Sequence, residues 1–157
     1  MKIQESKQTK RIKPLWLICI SCFIGMALIT AFFEKLVLSP VFAPLGSSAI
    51  LLFGAPDAPF SRPKNLVGGH IFSALTGVVI CRILGVNLYT VALVVALSLM
   101  VMLITGTVHP PAGATAILGL TTSQGSYYWV LMPVGAGAGL MLIIFFIYGR
   151  LMALTKS

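Results

Sequence analysis

Residues 109–118 read His-Pro-Pro-Ala-Gly-Ala-Thr-Ala-Ile-Leu, and this stretch lies inside strongly apolar sequence. Proline fits the first turn of a helix because its missing N–H would have no partner there. The pattern therefore predicts a short helix that enters at Pro110-Pro111 and runs to about Leu120. A helix that begins at membrane depth presents free N–H groups and the positive end of its dipole, which attract anions. His109 adds a ring that can be protonated near neutral pH.

The composition is that of an integral membrane protein. Of the 157 residues, 58% are hydrophobic and 9% are charged, and the mean hydropathy is +1.02. A soluble domain carries about 25% charged residues. The net charge of +8 does not indicate a nucleic-acid partner, because five of the eleven basic residues lie in residues 1–13. A basic flank before an apolar segment marks the cytoplasmic side of the membrane.

The pattern of the chain predicts an all-α fold with about four transmembrane helices and two short half-helices. Ten or so apolar residues cannot cross about 30 Å of hydrocarbon as a helix, whereas about twenty can. The long apolar runs cover residues 15–38, 65–84, 89–105 and 127–154, and the short ones cover 43–52 and 112–120. We expect a basic N-terminal tail, residues 1–13, and one transmembrane domain, residues 14–154.

An internal repeat relates the two halves of this domain. A shift of 67 residues aligns Pro44 with Pro111, Ser48 with Thr115, and the Ala-Ile-Leu of residues 49–51 with that of 116–118. Each half, about 15–84 and 88–154, then reads as a span, a short broken helix and a second span. Short segments at corresponding positions of two halves are the best sequence pointer to a transport site.

The topology depends on whether the short segments re-enter or cross. If they re-enter, there are four spans, with eight basic residues inside and three outside. If they cross, there are six crossings, with nine basic residues inside and two outside. The positive-inside rule permits both arrangements. In each of them both termini are cytoplasmic, and we expect the inner (plasma) membrane of a bacterium.

The polar residues at membrane depth are the candidate site. Ionisable groups there are costly and tend to be functional, so His109 and His70 lead, the alternative being a helix-capping role for His109. Gly68-Gly69, which precede His70, allow close approach of a neighbouring backbone. The remaining candidates for the binding site or pathway come from the same three segments: Ser47, Ser48, Lys64, Asn65, Pro110, Pro111, Gly113 and Thr115.

Each of these candidates also has a structural interpretation. The hydroxyls of Ser47, Ser48 and Thr115 either line a pathway or bond to backbone carbonyls and hold helices together. Asn65 and Lys64 either bind an anion or pair with Asp57. Cys19, Cys22 and Cys81 lie in apolar runs without a second ligand pair, so a zinc site is not expected and they are interpreted as small buried hydrophobic residues. We expect no metal and no cofactor.

Three stretches together resemble the HPP family of small integral membrane proteins. They are residues 46–53 (Gly-Ser-Ser-Ala-Ile-Leu-Leu-Phe), 63–70 (Pro-Lys-Asn-Leu-Val-Gly-Gly-His) and 109–116 (His-Pro-Pro-Ala-Gly-Ala-Thr-Ala). The resemblance covers about residues 14–152. It implies four transmembrane helices and, from plastid and cyanobacterial members, transport of nitrite.

The sequence thus predicts a transporter or channel for a small inorganic anion, with nitrite as the candidate that the resemblance implies. The pathway would lie at the N-termini of the two half-helices, with passive or proton-coupled transport both open. The alternative is a non-transporting sensor or assembly module in the membrane. An intramembrane enzyme is not expected, because the histidines lack a carboxylate or cysteine partner at depth. Four spans form a thin bundle, so we also expect a homo-oligomer in the lipid bilayer.

Overall fold

The computed structural model describes residues 15–32 and 42–154, and these residues form helices and turns without a strand. The described residues form six α-helices: α1 (Leu15–Phe32), α2 (Phe42–Gly54), α3 (Pro63–Leu84), α4 (Leu88–Thr105), α5 (Ala112–Thr122) and α6 (Ala136–Leu154). A 3₁₀ turn (Pro59–Ser61) precedes α3, and a π-helical segment (Val130–Gly135) precedes α6. The all-helical fold class is confirmed.

Among the described residues, three helical segments are long and apolar enough to cross a bilayer: Pro63–Leu84, Leu88–Thr105 and Val130–Arg150. The first predicted span is described as the 18 residues of α1, and its far end, residues 33–38, lies outside the described residues. The basic tail, residues 1–13, lies outside them as well. The number of crossings, the internal repeat and the cytoplasmic termini stay predictions.

The two short helices form where the sequence predicts them. α2 has 13 residues and α5 has 11. At about 1.5 Å of rise per residue, both are much shorter than the roughly 30 Å hydrocarbon core. α5 begins one residue later than the prolines indicate, because Pro110 and Pro111 form the turn before it and Pro111 is its N-cap.

The last predicted span is not one continuous helix. Met132 has non-helical backbone angles (φ −134°, ψ 117°) and divides the π-helical segment. Pro133 follows it, and a proline inside a helix removes one backbone hydrogen bond and clashes with the preceding turn. The last predicted span is therefore a helical segment that is irregular at Met132, and its regular α-helix begins at Ala136.

Helix α3 is central, and it packs closely against α5. Gly77 is buried in this contact, where a Cβ atom would collide with the carbonyl oxygen of Ala116 and would lie 2.8 Å from backbone atoms of Gly119. Two glycines facing each other let the two backbones approach, as small residues commonly do in membrane helix pairs. This contact holds the second half of α5 against α3, about two helical turns after His70.

The outer surface of the helices is apolar, and the interior contains polar groups. Large side chains such as Phe23, Leu103 and Ile104 are 62–77% exposed. His70 and His109, in contrast, are among the largest fully buried side chains of the described residues. Apolar residues outside and ionisable residues inside are the pattern expected of a membrane-embedded bundle.

Candidate functional site

Four of the predicted site residues meet in one buried cluster, although they come from different parts of the chain. Ser48 is on α2, His70 on α3, His109 in the turn before α5, and Thr115 on α5. Each side chain is at most 1% exposed. We call these four residues the histidine cluster.

Ser48 connects the two imidazole rings. Its Oγ lies 2.9 Å from Nε2 of His70 and 2.9 Å from Nε2 of His109. The ring centroids are 5.1 Å apart, with an angle of 60° between the ring planes. At the other side of His70, Nδ1 lies 2.7 Å from Oγ1 of Thr115. The cluster is therefore a continuous chain of hydrogen bonds across α5, α3, α2 and the His109 turn.

A backbone carbonyl sets the direction of this chain. Nδ1 of His109 lies 2.9 Å from the carbonyl oxygen of Phe60, which can only accept, so Nδ1 carries the hydrogen. In a neutral ring Nε2 then has none, and it accepts from the hydroxyl of Ser48. Ser48 in turn accepts from Nε2 of His70, whose bare Nδ1 accepts from Thr115. With both rings neutral, every ring nitrogen has one partner of the correct kind.

The hydroxyl of Ser48 also has a second acceptor. Its Oγ lies 3.0 Å from the carbonyl oxygen of Pro44, one helical turn earlier in α2. When Ser48 donates to Pro44, its oxygen remains free to accept hydrogen bonds from both imidazole rings. With both rings neutral this second orientation leaves Nε2 of His109 without a donor, so it is satisfied only when His109 carries a hydrogen on both ring nitrogens.

Glycines bring the His109 turn against α3. A Cβ atom on Gly69 would lie 2.6 Å from Cβ of His109 and 3.1 Å from the carbonyl oxygen of Thr107. One on Gly68 would lie 2.7 Å from Cγ2 of Thr107. The prediction that Gly68-Gly69 permit close approach of a neighbouring backbone is confirmed, and the element that approaches is the His109 turn itself.

Two further side chains hold the backbone around His109. Asn65 donates from Nδ2 to the carbonyl oxygen of Val108, 2.7 Å away, and its buried Oδ1 has no hydrogen-bond partner among the described residues. Ser61 donates to the carbonyl oxygen of Ala55, 2.7 Å away, and so fixes the 3₁₀ turn that carries Phe60. Because the donor of Asn65 is engaged in this way, its observed role is to position the turn.

The first N–H groups of α5 are not free, contrary to the expectation from sequence. Those of Ala112, Gly113 and Ala114 donate to the carbonyl oxygens of residues 109, 110 and 111, respectively, at 2.9–3.2 Å. Pro110 and Pro111 start a tight turn before the helix, and its carbonyls occupy the donors. The His109 turn also lies against Ser48, in the middle of α2, and not against the first residue of α2.

An open groove of about 680 Å³ runs along α2 beside the cluster. It is lined by one face of α2, which includes Pro44 and Ser47, and by Pro110, Pro111 and Ala114. Ser47 is exposed toward it, whereas Ser48, the next residue, points into the cluster. The groove is mostly apolar, with the Ser47 hydroxyl among its few polar groups.

Charged residues occur at the N-terminal end of α3 and in the loop before it. Arg62 and Lys64 are exposed at the N-terminal end of α3, and Nζ of Lys64 lies 3.6 Å from the position of a Cβ atom on Gly106. Helices α2, α3 and α5 contain no Asp or Glu. In the described part of the chain the one carboxylate is Asp57, in the loop before the 3₁₀ turn.

The remaining predicted residues take different positions. Gly113 is outside the cluster, and a Cβ atom there would meet nothing within 4 Å. The described residues include no group of three or more His, Cys, Asp or Glu that could hold a metal ion. Cys22 and Cys81 are partly buried, but Cys19 is exposed, so the interpretation of all three cysteines as buried is wrong for Cys19. Its position on α1 faces outward.

Sequence reasoning missed the carbonyl groups of Phe60 and Pro44. Phe60 lies in a loop segment without a recognisable motif, and any residue at that position would supply the same carbonyl. Pro44 was identified only as part of the repeat. The signal for Pro44 was available, because a serine four residues into a helix often donates to the carbonyl of residue i−4.

Comparison with known proteins identifies the family. The model of the transmembrane region of HPP proteins matches residues 7–156, so the chain belongs to the HPP family. Two Dictyostelium discoideum proteins, both described as transmembrane proteins, are 38% identical over 107 residues and 33% identical over 135 residues. These matches cover 62% and 79% of this chain but only 36% and 43% of the relatives, which are therefore much longer. No solved structure matches the chain.

Proposed function

We propose that this member of the HPP family transports a small inorganic anion across the lipid bilayer, with nitrite as the first candidate substrate. The observation that carries the proposal is the buried histidine cluster beside an open groove between two short helices. Buried ionisable groups within a membrane bundle mark substrate and ion pathways. Short helices at the centre of the bundle are likewise where transporters place their binding sites.

The distribution of charge favours an anion as the substrate. Lys64 and Arg62 attract anions to the N-terminal end of α3, and α2, α3 and α5 have no carboxylate that would repel them. In the groove, the hydroxyl of Ser47 can replace part of the water shell of an ion. The N-terminal end of the α5 dipole points to the same region, although its first N–H groups are engaged.

Nitrite is the candidate because other HPP proteins are linked to its transport, and it is small enough for the groove. Transport, as proposed here, leaves the substrate chemically unchanged. The setting we propose is the inner membrane of a bacterium with both termini cytoplasmic, and a homo-oligomer whose protomers each contain one histidine cluster. The apolar outer faces of α4 and α6 are available for lipid and for neighbouring protomers.

Nitrite uptake into proteoliposomes tests this proposal. Purified protein is reconstituted, and uptake is compared with that of empty vesicles and of vesicles containing His109→Ala. We expect uptake above the empty vesicles for the wild type and a loss of most of it for the variant. Absence of uptake from folded, inserted protein would refute nitrite transport. Full uptake by His109→Ala would keep transport but remove the histidine cluster from its pathway.

A further inference from the structure

We infer that the histidine cluster binds one proton per protomer and that this proton crosses the membrane together with the anion. The anion half of this inference rests on the proposed function. The proton half rests on the geometry of Ser48, His70, His109, Thr115 and the carbonyl of Phe60. Transport of a monovalent anion would then be an electroneutral symport.

The chain of hydrogen bonds can take up a proton while each ring nitrogen keeps a partner of the correct kind. A proton that arrives at Nδ1 of His70 releases the Nε2 proton to Oγ of Ser48, and the hydroxyl proton of Ser48 passes to Nε2 of His109. Each of the last two transfers takes place over a donor–acceptor distance of 2.9 Å. The net result is one bound proton, and all three hydrogen bonds of the chain have reversed their direction.

The added charge is located on His109. Its Nδ1–H remains bonded to the carbonyl oxygen of Phe60, 2.9 Å away, and its new Nε2–H donates to Ser48. Hydrogen bonds from an ionised donor are stronger than neutral ones. The carbonyl of Phe60 can accept a hydrogen bond but is not a base, so the proton does not continue past His109. The cluster is therefore a proton-binding site that is reached and left through Ser48 and His70.

A single proton is expected because the two rings share one serine. The ring centroids are 5.1 Å apart, and a second proton would place two cations side by side in a buried site. Repulsion between like charges separates the two protonation steps of such a pair, and the steps belong to the pair as a whole.

In the described part of the chain, the helices that contribute to the cluster supply no carboxylate, and the one carboxylate is Asp57, in the loop before the 3₁₀ turn. α2 and α5 contain no charged residue, and α4 contributes Tyr89 as its one titratable group. α3 carries Lys64 and Arg82 near its two ends and Cys81 beside Arg82, and Arg62 lies before it. None of these groups is a carboxylate. Because an uncompensated buried charge is costly, the proton favours binding of an anion in the adjoining groove.

The coupling acts in both directions. If the proton raises the affinity of the groove for an anion, the anion raises the affinity of the cluster for the proton by the same factor. The proton and the anion therefore bind together and dissociate together. Because of this thermodynamic coupling, the histidine cluster and the groove together form a symport site.

Nitrogen NMR of the histidine side chains tests the proton half without any substrate. The chain contains two histidines in total, so protein labelled with ¹⁵N-histidine gives two assignable rings. At neutral pH we expect one ring as the Nδ1–H tautomer and the other as the Nε2–H tautomer. On acidification one ring should become doubly protonated before the second. Two rings of the same tautomer, or two rings that titrate together, would overturn the inference.

Ser48→Ala and Ser47→Ala provide the matched controls for that experiment. They are adjacent residues on α2, but only Ser48 lies between the rings. Ser48→Ala should abolish the fixed pairing of tautomers, whereas Ser47→Ala should leave both ring spectra unchanged. An unchanged spectrum in Ser48→Ala would show that the serine does not connect the rings.

Simultaneous measurement of nitrite and proton uptake tests the coupling. Vesicles carry a pH indicator inside, and the uptake of empty vesicles is subtracted because nitrous acid crosses bilayers unaided. We expect one proton for each nitrite, no dependence on a potassium–valinomycin potential, and a protein-dependent rate that rises about tenfold per unit of pH decrease while the pair is mostly unprotonated.

The outcomes separate the two proposals. Protein-dependent nitrite uptake that follows the membrane potential and carries no proton would overturn the symport and leave anion transport intact. If no nitrite uptake exceeds that of empty vesicles, the proposed function fails, and the symport with nitrite fails with it. The NMR experiment then still decides whether the cluster binds one proton.

Discussion

His109 donates its Nδ1 hydrogen to the carbonyl oxygen of Phe60, 2.9 Å away, and this bond determines the direction of the other hydrogen bonds in the cluster. The carbonyl is a backbone group that any residue would supply, and Ser61 holds its turn in place through the carbonyl of Ala55. The tautomers of both histidines thus depend on the conformation of a loop that carries no ionisable group in the site.

Gly69→Ala should destabilise the protein, because a Cβ atom there would lie 2.6 Å from Cβ of His109. Both atoms are close to their backbones, so the His109 turn has to move. Overpacking of this kind costs about 1–3 kcal/mol. Thermal unfolding in detergent measures the effect.

The control for Gly69→Ala is Gly113→Ala, where a new Cβ would meet nothing within 4 Å. Because alanine has a higher helix propensity than glycine, this variant should be as stable as the wild type or more stable by up to about 1 kcal/mol. Equal stability of the two variants would contradict the close contact between α3 and the His109 turn.

Asn65→Asp should be more destabilising than Asn65→Ala. Both variants lose the hydrogen bond from Nδ2 to the carbonyl of Val108, at a cost of about 1–3 kcal/mol. The aspartate also places carboxylate oxygens next to that carbonyl, in a side chain that is 6% exposed in the wild type. Chemical unfolding of the three proteins gives the order, and an aspartate variant as stable as the wild type would refute the assigned role of Asn65.

Lys64→Gln should weaken the apparent affinity for nitrite if Lys64 attracts the anion. Lys64 is exposed, and exposed charge interactions are worth up to about 1 kcal/mol, so the half-saturation concentration should rise by roughly two- to fivefold. The difference should shrink at high salt because of screening. Lys64→Arg keeps the charge and should behave as the wild type; a similar loss in both variants would indicate a structural role instead.

The parts of the fold that depend on local sequence were predictable, and those that depend on contacts between distant segments were not. Apolar length gave the long and short helices, and the prolines before Ala112 placed the start of α5 to within one or two residues. Pro133 was visible in the last apolar run, and its effect was overlooked. The depth of His70 and His109 in apolar sequence marked both as candidates, but their connection through Ser48 was not predictable because it depends on how distant segments pack.

The roles of Ser47 and Ser48 show where the sequence stops being informative. Adjacent residues on a helix point about 100° apart, and α2 is apolar on several sides, so no pattern indicates which serine faces the bundle. The structure places Ser48 between the two histidines and Ser47 in the groove. Because the phase of a short helix is set by tertiary packing, only the structure separates them.

The most direct test of the histidine cluster as the transport site compares nitrite uptake by Ser48→Ala and Ser47→Ala, each normalised to folded, reconstituted protein. Ser48→Ala breaks the link between the histidines, and loss of such a buried hydrogen bond should reduce uptake by about tenfold or more. Ser47→Ala removes one hydroxyl from the groove and leaves the link between the histidines intact, so its uptake should fall by less than that of Ser48→Ala. Equal uptake by the two variants, or a greater loss in Ser47→Ala, would contradict the central role of the cluster.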